Sequence, residues 1–202
     1  MKLLVATGNA GKLREFQGAL QRLGIEVVGL EALGDASPVE ETGATFLENA
    51  RLKAEAFSRR TDLPVLADDS GLEVDALEGR PGVLSARFGG PQLSDVARAK
   101  AVLKGMVDVP EAERTARFQC ALAVARGGRT LRTFEGRVEG KILRELRGKN
   151  GFGYDPIFLY PESGRTFAEM APEEKEAVSH RGRALAALAL ALEQGFKEGL
   201  LS

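Results

Sequence analysis

The chain predicts an α/β protein, and three stretches predict it. An apolar run, a glycine-containing turn and a helical pattern follow one another from Leu3 to Gly24. A second apolar run, Val65-Leu66-Ala67, leads into Asp68-Asp69-Ser70-Gly71. A long alternating segment, Arg114 to Arg126, turns at Gly127-Gly128 and returns through Thr130 to Val138. Strand patterns interleaved with helical ones define the α/β class.

The 202 residues suffice for one sizeable domain, and 44% hydrophobic content predicts a packed core. The 28 basic and 29 acidic residues nearly cancel, at net charge −1, which argues against a nucleic-acid polymer as main partner. A single mononucleotide needs only a few local lysines or arginines. One cysteine, Cys120, excludes an internal disulfide and a cysteine zinc cluster, and fits a reducing compartment. With His180 as the only histidine, zinc sites built on histidines and Cys-His nucleophile pairs are excluded too. Met1-Lys2 leads directly into a strand-like run, and the longest apolar run, Ala184 to Leu192, is too short to span a bilayer. The expectation is a cytoplasmic protein with no membrane partner. Residues 1–202 read as one domain, without a linker or internal repeat.

Leu3-Leu4-Val5-Ala6 reads as a buried strand, and Leu13, Phe16, Leu20 and Leu23 as a helix closed by Gly24. Between them lies Thr7-Gly8-Asn9-Ala10-Gly11-Lys12. Such a turn can aim N–H groups and a helix N-terminus at an anion, with Lys12 adding charge. It lacks P-loop spacing, and the alternative is a plain βα connection. Ile25 to Val28 predicts a second strand. Thr45-Phe46-Leu47-Glu48 has capping-box spacing and opens a helix to about Arg59. Lys53 falls at the rim of its apolar stripe, either snorkelling or directed at a phosphate. Glu40-Glu41 just before it is a second acidic pair.

Val65-Leu66-Ala67 predicts a short strand that ends at the Asp68-Asp69 carboxylates, where ligands bind in open α/β sheets. Adjacent carboxylates there call for a compensating cation, and Mg²⁺ suits oxygen donors shared with substrate phosphates. The alternative is a solvated Asx turn. Leu72-Glu73-Val74 reads as the start of another strand, and Ser94 as the N-cap of a helix from Asp95 to Val107. Cys120 falls on the apolar face of the alternating strand and is assigned to packing. Gly148-Lys149-Asn150-Gly151-Phe152-Gly153-Tyr154-Asp155-Pro156 is a pliable loop. Its Phe152 either stacks on a flat ring or plugs the core, and Asp155 can accept from ring N–H groups. Ser179-His180-Arg181-Gly182 precedes a helix that is apolar nearly all round from Ala184 to Leu192, and so is expected to be buried or at a subunit contact.

Taken in order, these motifs closely resemble the inosine/xanthosine triphosphate pyrophosphatase family, the Ham1-like group. The residues that carry the resemblance are Thr7 to Lys12, Glu40 to Gly43, Phe46-Leu47-Glu48-Asn49-Ala50 with Lys53, and Ala67 to Leu72. Pro81-Gly82 with Ser85-Ala86-Arg87, Gly151 to Pro156, and Ser179 to Gly182 complete the set. The resemblance implies an elongated mixed sheet with flanking helices in two lobes and a substrate cleft between them. It implies a homodimer, Mg²⁺, and hydrolysis of ITP, dITP and XTP to monophosphate and pyrophosphate. It implies that Thr7, Gly8, Asn9, Ala10, Gly11, Lys12 and Lys53 hold the triphosphate. Glu41 and Asp69 serve the metal, and Asp69 also accepts the proton. Ser70 contacts substrate. Phe152 stacks on the base, with Gly153, Tyr154 and Asp155 completing that wall. Lys175, His180 and Arg181 contact the nucleotide, the last two near the 6-oxo edge.

The chemistry of the residues agrees. Water attacking the α-phosphorus needs charge neutralisation and a base, and a carboxylate beside Mg²⁺ supplies the second. Asp69 is assigned as that base, with Asp68 as the alternative. Donors facing O6 would reject adenine, whose 6-amino group leaves them unpaired. Three rival readings are a Maf-like pyrophosphatase with another base preference, a phosphatase releasing orthophosphate, and a non-catalytic nucleotide sensor. The two acidic clusters favour hydrolysis over sensing.

Overall fold

The computed structural model describes residues 1–90 and 92–196. Seven strands form one mixed sheet: β1 (Lys2–Val5), β2 (Glu26–Val28), β3 (Val65–Val74), β4 (Thr115–Arg126), β5 (Arg129–Ile142), β6 (Phe158–Tyr160) and β7 (Arg165–Thr166). Their order is β2-β1-β3-β4-β5-β6-β7. β1 pairs in parallel with β2 and β3, while β6 pairs antiparallel with β5 and β7. Among the described residues five α-helices accompany them: α1 (Ala10–Arg22), α2 (Phe46–Ser58), α3 (Asp95–Gly105), α4 (Pro172–Val178) and α5 (His180–Ala191). The expected α/β class is the observed one. No helix among the described residues is long and apolar enough to cross a membrane.

The chain divides into two compact units, one of residues 1–69, 120–136 and 183–202, the other of 70–119 and 137–182. Each division falls inside β3, β4, β5 or α5 and none in a loop. In the first unit, Leu3 and Val5 of β1, Phe16 and Leu20 of α1 and Leu122 and Val124 of β4 form a buried core with Leu188. In the second, Leu72, Val102, Met106, Phe118, Phe158 and Phe167 form another. Cys120 is 1% exposed within the first core, as its apolar face predicts.

One sequence expectation needs correction. The strand at Val65 does not stop at Asp68-Asp69, and Leu72 does not start a new one. β3 is one ten-residue strand with both aspartates in its middle. Ion pairs and an amide compensate the two carboxylates there, so they need no turn to reach water. β1 gives out at Val5, opposite Leu66, so Asp68 and Asp69 still lie past the C-terminal end of a parallel strand. Burial on α5 is one-sided. Ala184, Leu185, Leu188 and Ala191 are buried, but Leu190 is 55% exposed. The apolar sequence hides an ordinary one-sided burial, because alanines are tolerated on either face.

Candidate functional site

In the first unit the site grows from three elements. Asn9 caps α1, its Oδ1 accepting from Gly11 N–H at 2.8 Å and from Lys12 N–H at 3.0 Å, while Thr7 Oγ1 accepts from Asn9 N–H at 3.2 Å. Those N–H groups are thus engaged by Asn9, a departure from the expected open anion cradle. Ala10 begins the helix. Gly8 is exposed, has no positive φ, and a Cβ there would meet nothing within 4 Å. Neither turn geometry nor packing requires a glycine at that point. The Lys12 ammonium sits 2.8 Å from Asp68 Oδ2, and Asp68 is 1% exposed.

The α2 capping box forms as predicted, with Thr45 and Glu48 bonded reciprocally. It fixes the first turn, and Lys53 extends to Glu41 Oε1 at 2.5 Å. Burial pulls the Lys53 pKa down, but Asp68, Asp69 and Glu41 outweigh it and leave it raised. For Asp69, 6% exposed, burial dominates. It lifts the carboxyl to about 6, against Lys53, Lys12 and the Asn49 amide, which all favour the anion. Of the acidic pair at 40–41, Glu41 is half-buried and Glu40 exposed.

In the second unit a different arrangement forms around Phe152, which is half-buried and does not plug the core. Lys175 Nζ lies 4.6 Å from its ring centre and Arg181 Cζ 5.8 Å. The Asp155 carboxylate is 2% exposed, and its Oδ2 accepts from Phe152 N–H at 2.9 Å and Lys175 Nζ at 2.6 Å. Through its Oδ2, Asp155 holds the loop. The reason is its burial, which demands a cationic partner. Gly151 has φ +71, and any side chain there would collide with Asp155. Gly153 N–H donates to Asp95 Oδ2 at 2.8 Å. Tyr154 is buried, and its hydroxyl donates to Ser85 O at 2.7 Å. Burial raises the Tyr154 pKa, so it stays a neutral donor.

Arg181, 1% exposed, donates to Ser70 Oγ at 2.7 Å. His180 is 4% exposed and stacks on Phe118, ring centres 4.6 Å apart and 9° from parallel. Gly182 follows because a side chain there would strike the Glu176 carbonyl oxygen. Gly71 is likewise forced by the close approach of Ser85.

The fold therefore gathers Lys12, Glu41, Lys53, Asp68 and Asp69 in one unit, and Ser70, Phe152, Asp155, Lys175 and Arg181 in the other. The sequence pattern of the Ham1 family matches residues 3–191. This chain belongs to the Ham1 family. The dITP/XTP pyrophosphatase of Geobacillus kaustophilus is 53% identical over 187 residues, 93% of this chain and 92% of that protein. A HAM1 protein from Coxiella burnetii has the same fold, with TM-score 0.85 and 42% identity over 96% of this chain and 100% of its own. The nucleoside-triphosphatase / dITP/XTP pyrophosphatase of Mycobacterium abscessus aligns at TM-score 0.74 and 48% identity, over 93% of this chain and 98% of that one.

In this Ham1-family chain the donors suit a hard divalent cation. Glu41, Asp68 and Asp69 offer only carboxylate oxygens, and the two ammonium groups beside them leave an excess of negative charge. Among the described residues no three His, Cys, Asp or Glu side chains converge as a closed metal cage. An ion that completes its shell with phosphates and water needs only one or two carboxylates. Sequence reasoning missed Asn49 and Ser85 as parts of the site. Asn49 stands four residues before Lys53, one helical turn along the same face, which is the signal that could have found it. Ser85 stands in the Ser85-Ala86-Arg87 motif, but its partners Leu72 and Tyr154 are remote in sequence, so the motif did not show its role.

Proposed function

We propose that this Ham1-family chain is a nucleoside-triphosphate pyrophosphatase that hydrolyses deaminated purine nucleotides, ITP, dITP and XTP, to the monophosphate and pyrophosphate. The observation that carries the mechanism is the buried Asp69 carboxyl, 6% exposed and bonded by the Asn49 amide at 3.0 Å. A carboxylate so placed is a stronger base than an exposed one, yet is ionised at neutral pH. Asp69 takes the proton of the attacking water. Asp68, already paired with Lys12, balances charge, which supports giving the base role to its neighbour.

Lys12 and Lys53 exchange their carboxylate partners for phosphate oxygens as the triphosphate enters, with Thr7, Asn9 and the backbone of Gly8, Ala10 and Gly11 lining it. Glu41 and Asp69 would hold Mg²⁺, which would supply charge neutralisation on the phosphates and make water easier to deprotonate. Phe152 stacks on the base. Lys175, His180 and Arg181 contact the nucleotide, the last two near its 6-oxo edge, and Ser70, bonded to Arg181, adjoins the substrate. Gly153, Tyr154 and Asp155 hold the loop that presents the ring. Asp69 and Ser70 are peptide-bonded neighbours on β3, so phosphate and base groups are tied through one strand.

The test is product identification from ITP with Mg²⁺, with and without chelator. IMP and pyrophosphate are expected, and chelator should stop their formation. Orthophosphate as product, or equal rates on ITP, ATP and GTP, would overturn the reading. Homodimer formation and a cytoplasmic location belong to the same proposal, with light scattering and cell fractionation as their checks.

A further inference from the structure

Asn49 is fully buried, at 0% exposure, between two groups of the acidic site. Its side chain has one accepting end and one donating end. Oδ1 accepts from Gly43 N–H at 2.8 Å, and Nδ2 donates to Asp69 Oδ2 at 3.0 Å. The two partners dictate which end is which, because a reversed amide would face donor with donor and acceptor with acceptor. The helix holds it in place, with Asn49 N–H on Thr45 O at 3.2 Å beside the capping box. Gly43 belongs to the same device, since a Cβ there would stand 2.7 Å from Asn49 Oδ1. Gly43 also lies two residues after Glu41, so the turn bearing that acid is anchored through the same amide.

We infer that Asn49 is a positioning residue, which orients the Asp69 carboxylate and ties to it the turn that carries Glu41. The inference rests on the reading that Asp69 acts on the reacting water. It adds what keeps a buried carboxylate in one orientation while its lysine partners turn to phosphate. Asn49 is fully buried, with its side chain bonded to Gly43 and Asp69, so its loss should lower kcat and leave KM for ITP nearly unchanged.

The experiment uses three variants of the full chain. Asn49→Asp keeps an acceptor for Gly43 N–H but turns a second carboxylate on Asp69. It should lower the melting temperature and reduce kcat for ITP about 10- to 100-fold, with KM within about threefold. Asn49→Asp combined with Asp69→Asn exchanges donor and acceptor. That double variant should regain melting temperature over Asn49→Asp while remaining inactive. Asp69→Asn alone tests the underlying reading: retained turnover would remove Asp69 from the chemistry, whereas the melting data speak to the bond itself. A kcat for Asn49→Asp within about threefold of wild type would overturn the inference. So would a double variant that melts no higher than Asn49→Asp. Should Asn49→Asp fail to fold, restored folding in the double variant supports the inference and continued failure overturns it.

Discussion

The acidic cluster of the first unit and the Phe152 loop of the second solve opposite problems. In the first, three carboxylates lie with two ammonium groups, and burial, opposed by Lys53 and Lys12, lifts the Asp69 carboxyl to about 6. In the second, one buried carboxylate meets one buried ammonium at 2.6 Å, and the pair is balanced. The first is charge held in tension by regular elements, β3, α1 and α2. The second is a shape, an aromatic ring fixed at a loop tip by a satisfied ion pair. On the proposed reading the first site takes a cation and phosphates, which an excess of carboxylates suits. A site that must present a flat face needs a ring that does not move.

The comparison can be broken at its charged end first. Asp69→Asn should lower kcat for ITP by about 10²- to 10⁴-fold with little change in KM, measured by steady-state pyrophosphate release. A loss confined to KM would make Asp69 a binding group only. Lys175→Met strikes the balanced pair, leaving Asp155 charged and buried at 2% exposure. It should reduce stability by about 3–5 kcal/mol in urea denaturation. Adding Asp155→Asn should return part of that, and no recovery would mean that the pair is not what Lys175 contributes.

The imbalance should also appear in pH dependence. Burial raises the Asp69 pKa from 3.8 to about 6, so the folded chain binds that proton more tightly than the unfolded chain. The resulting stability is fully present below about pH 4 and lost as pH rises through about 6. Without divalent ions, Asp69→Asn should therefore be more stable than wild type at pH 7 by about 2–3 kcal/mol, and show no such gain at pH 4. Equal melting differences at both pH values would contradict the assignment. The smallest effect sharpens the aromatic side. Phe152→Ala removes a stacking surface worth about 1–3 kcal/mol, so kcat/KM for ITP should fall roughly 10- to 100-fold with the fold intact by circular dichroism.

Periodicity identified most elements. Leu3 to Val5, the Thr45 capping box, the Gly127-Gly128 turn and the Asp95 helix are local patterns, and local patterns survive folding. β3 was misread because Asp-Asp-Ser-Gly is a turn signal in isolation. Lys12 from α1, with Asn49 and Lys53 from α2, helps two aspartates remain in a buried strand. α4 gave no apolar stripe to find, being seven residues long.

The sequence by itself determined the α/β class, the family, and which residue types could bind phosphate, metal and base. These are properties of short motifs whose spacing carries their meaning. Tertiary structure decided the partners: that Asp155 holds Lys175 and the Phe152 amide, that Asn9 consumes the N–H groups of its own turn, and that Asn49 joins Gly43 to Asp69. A buried polar group must find its complement wherever the fold supplies one, and no spacing along the chain records that address.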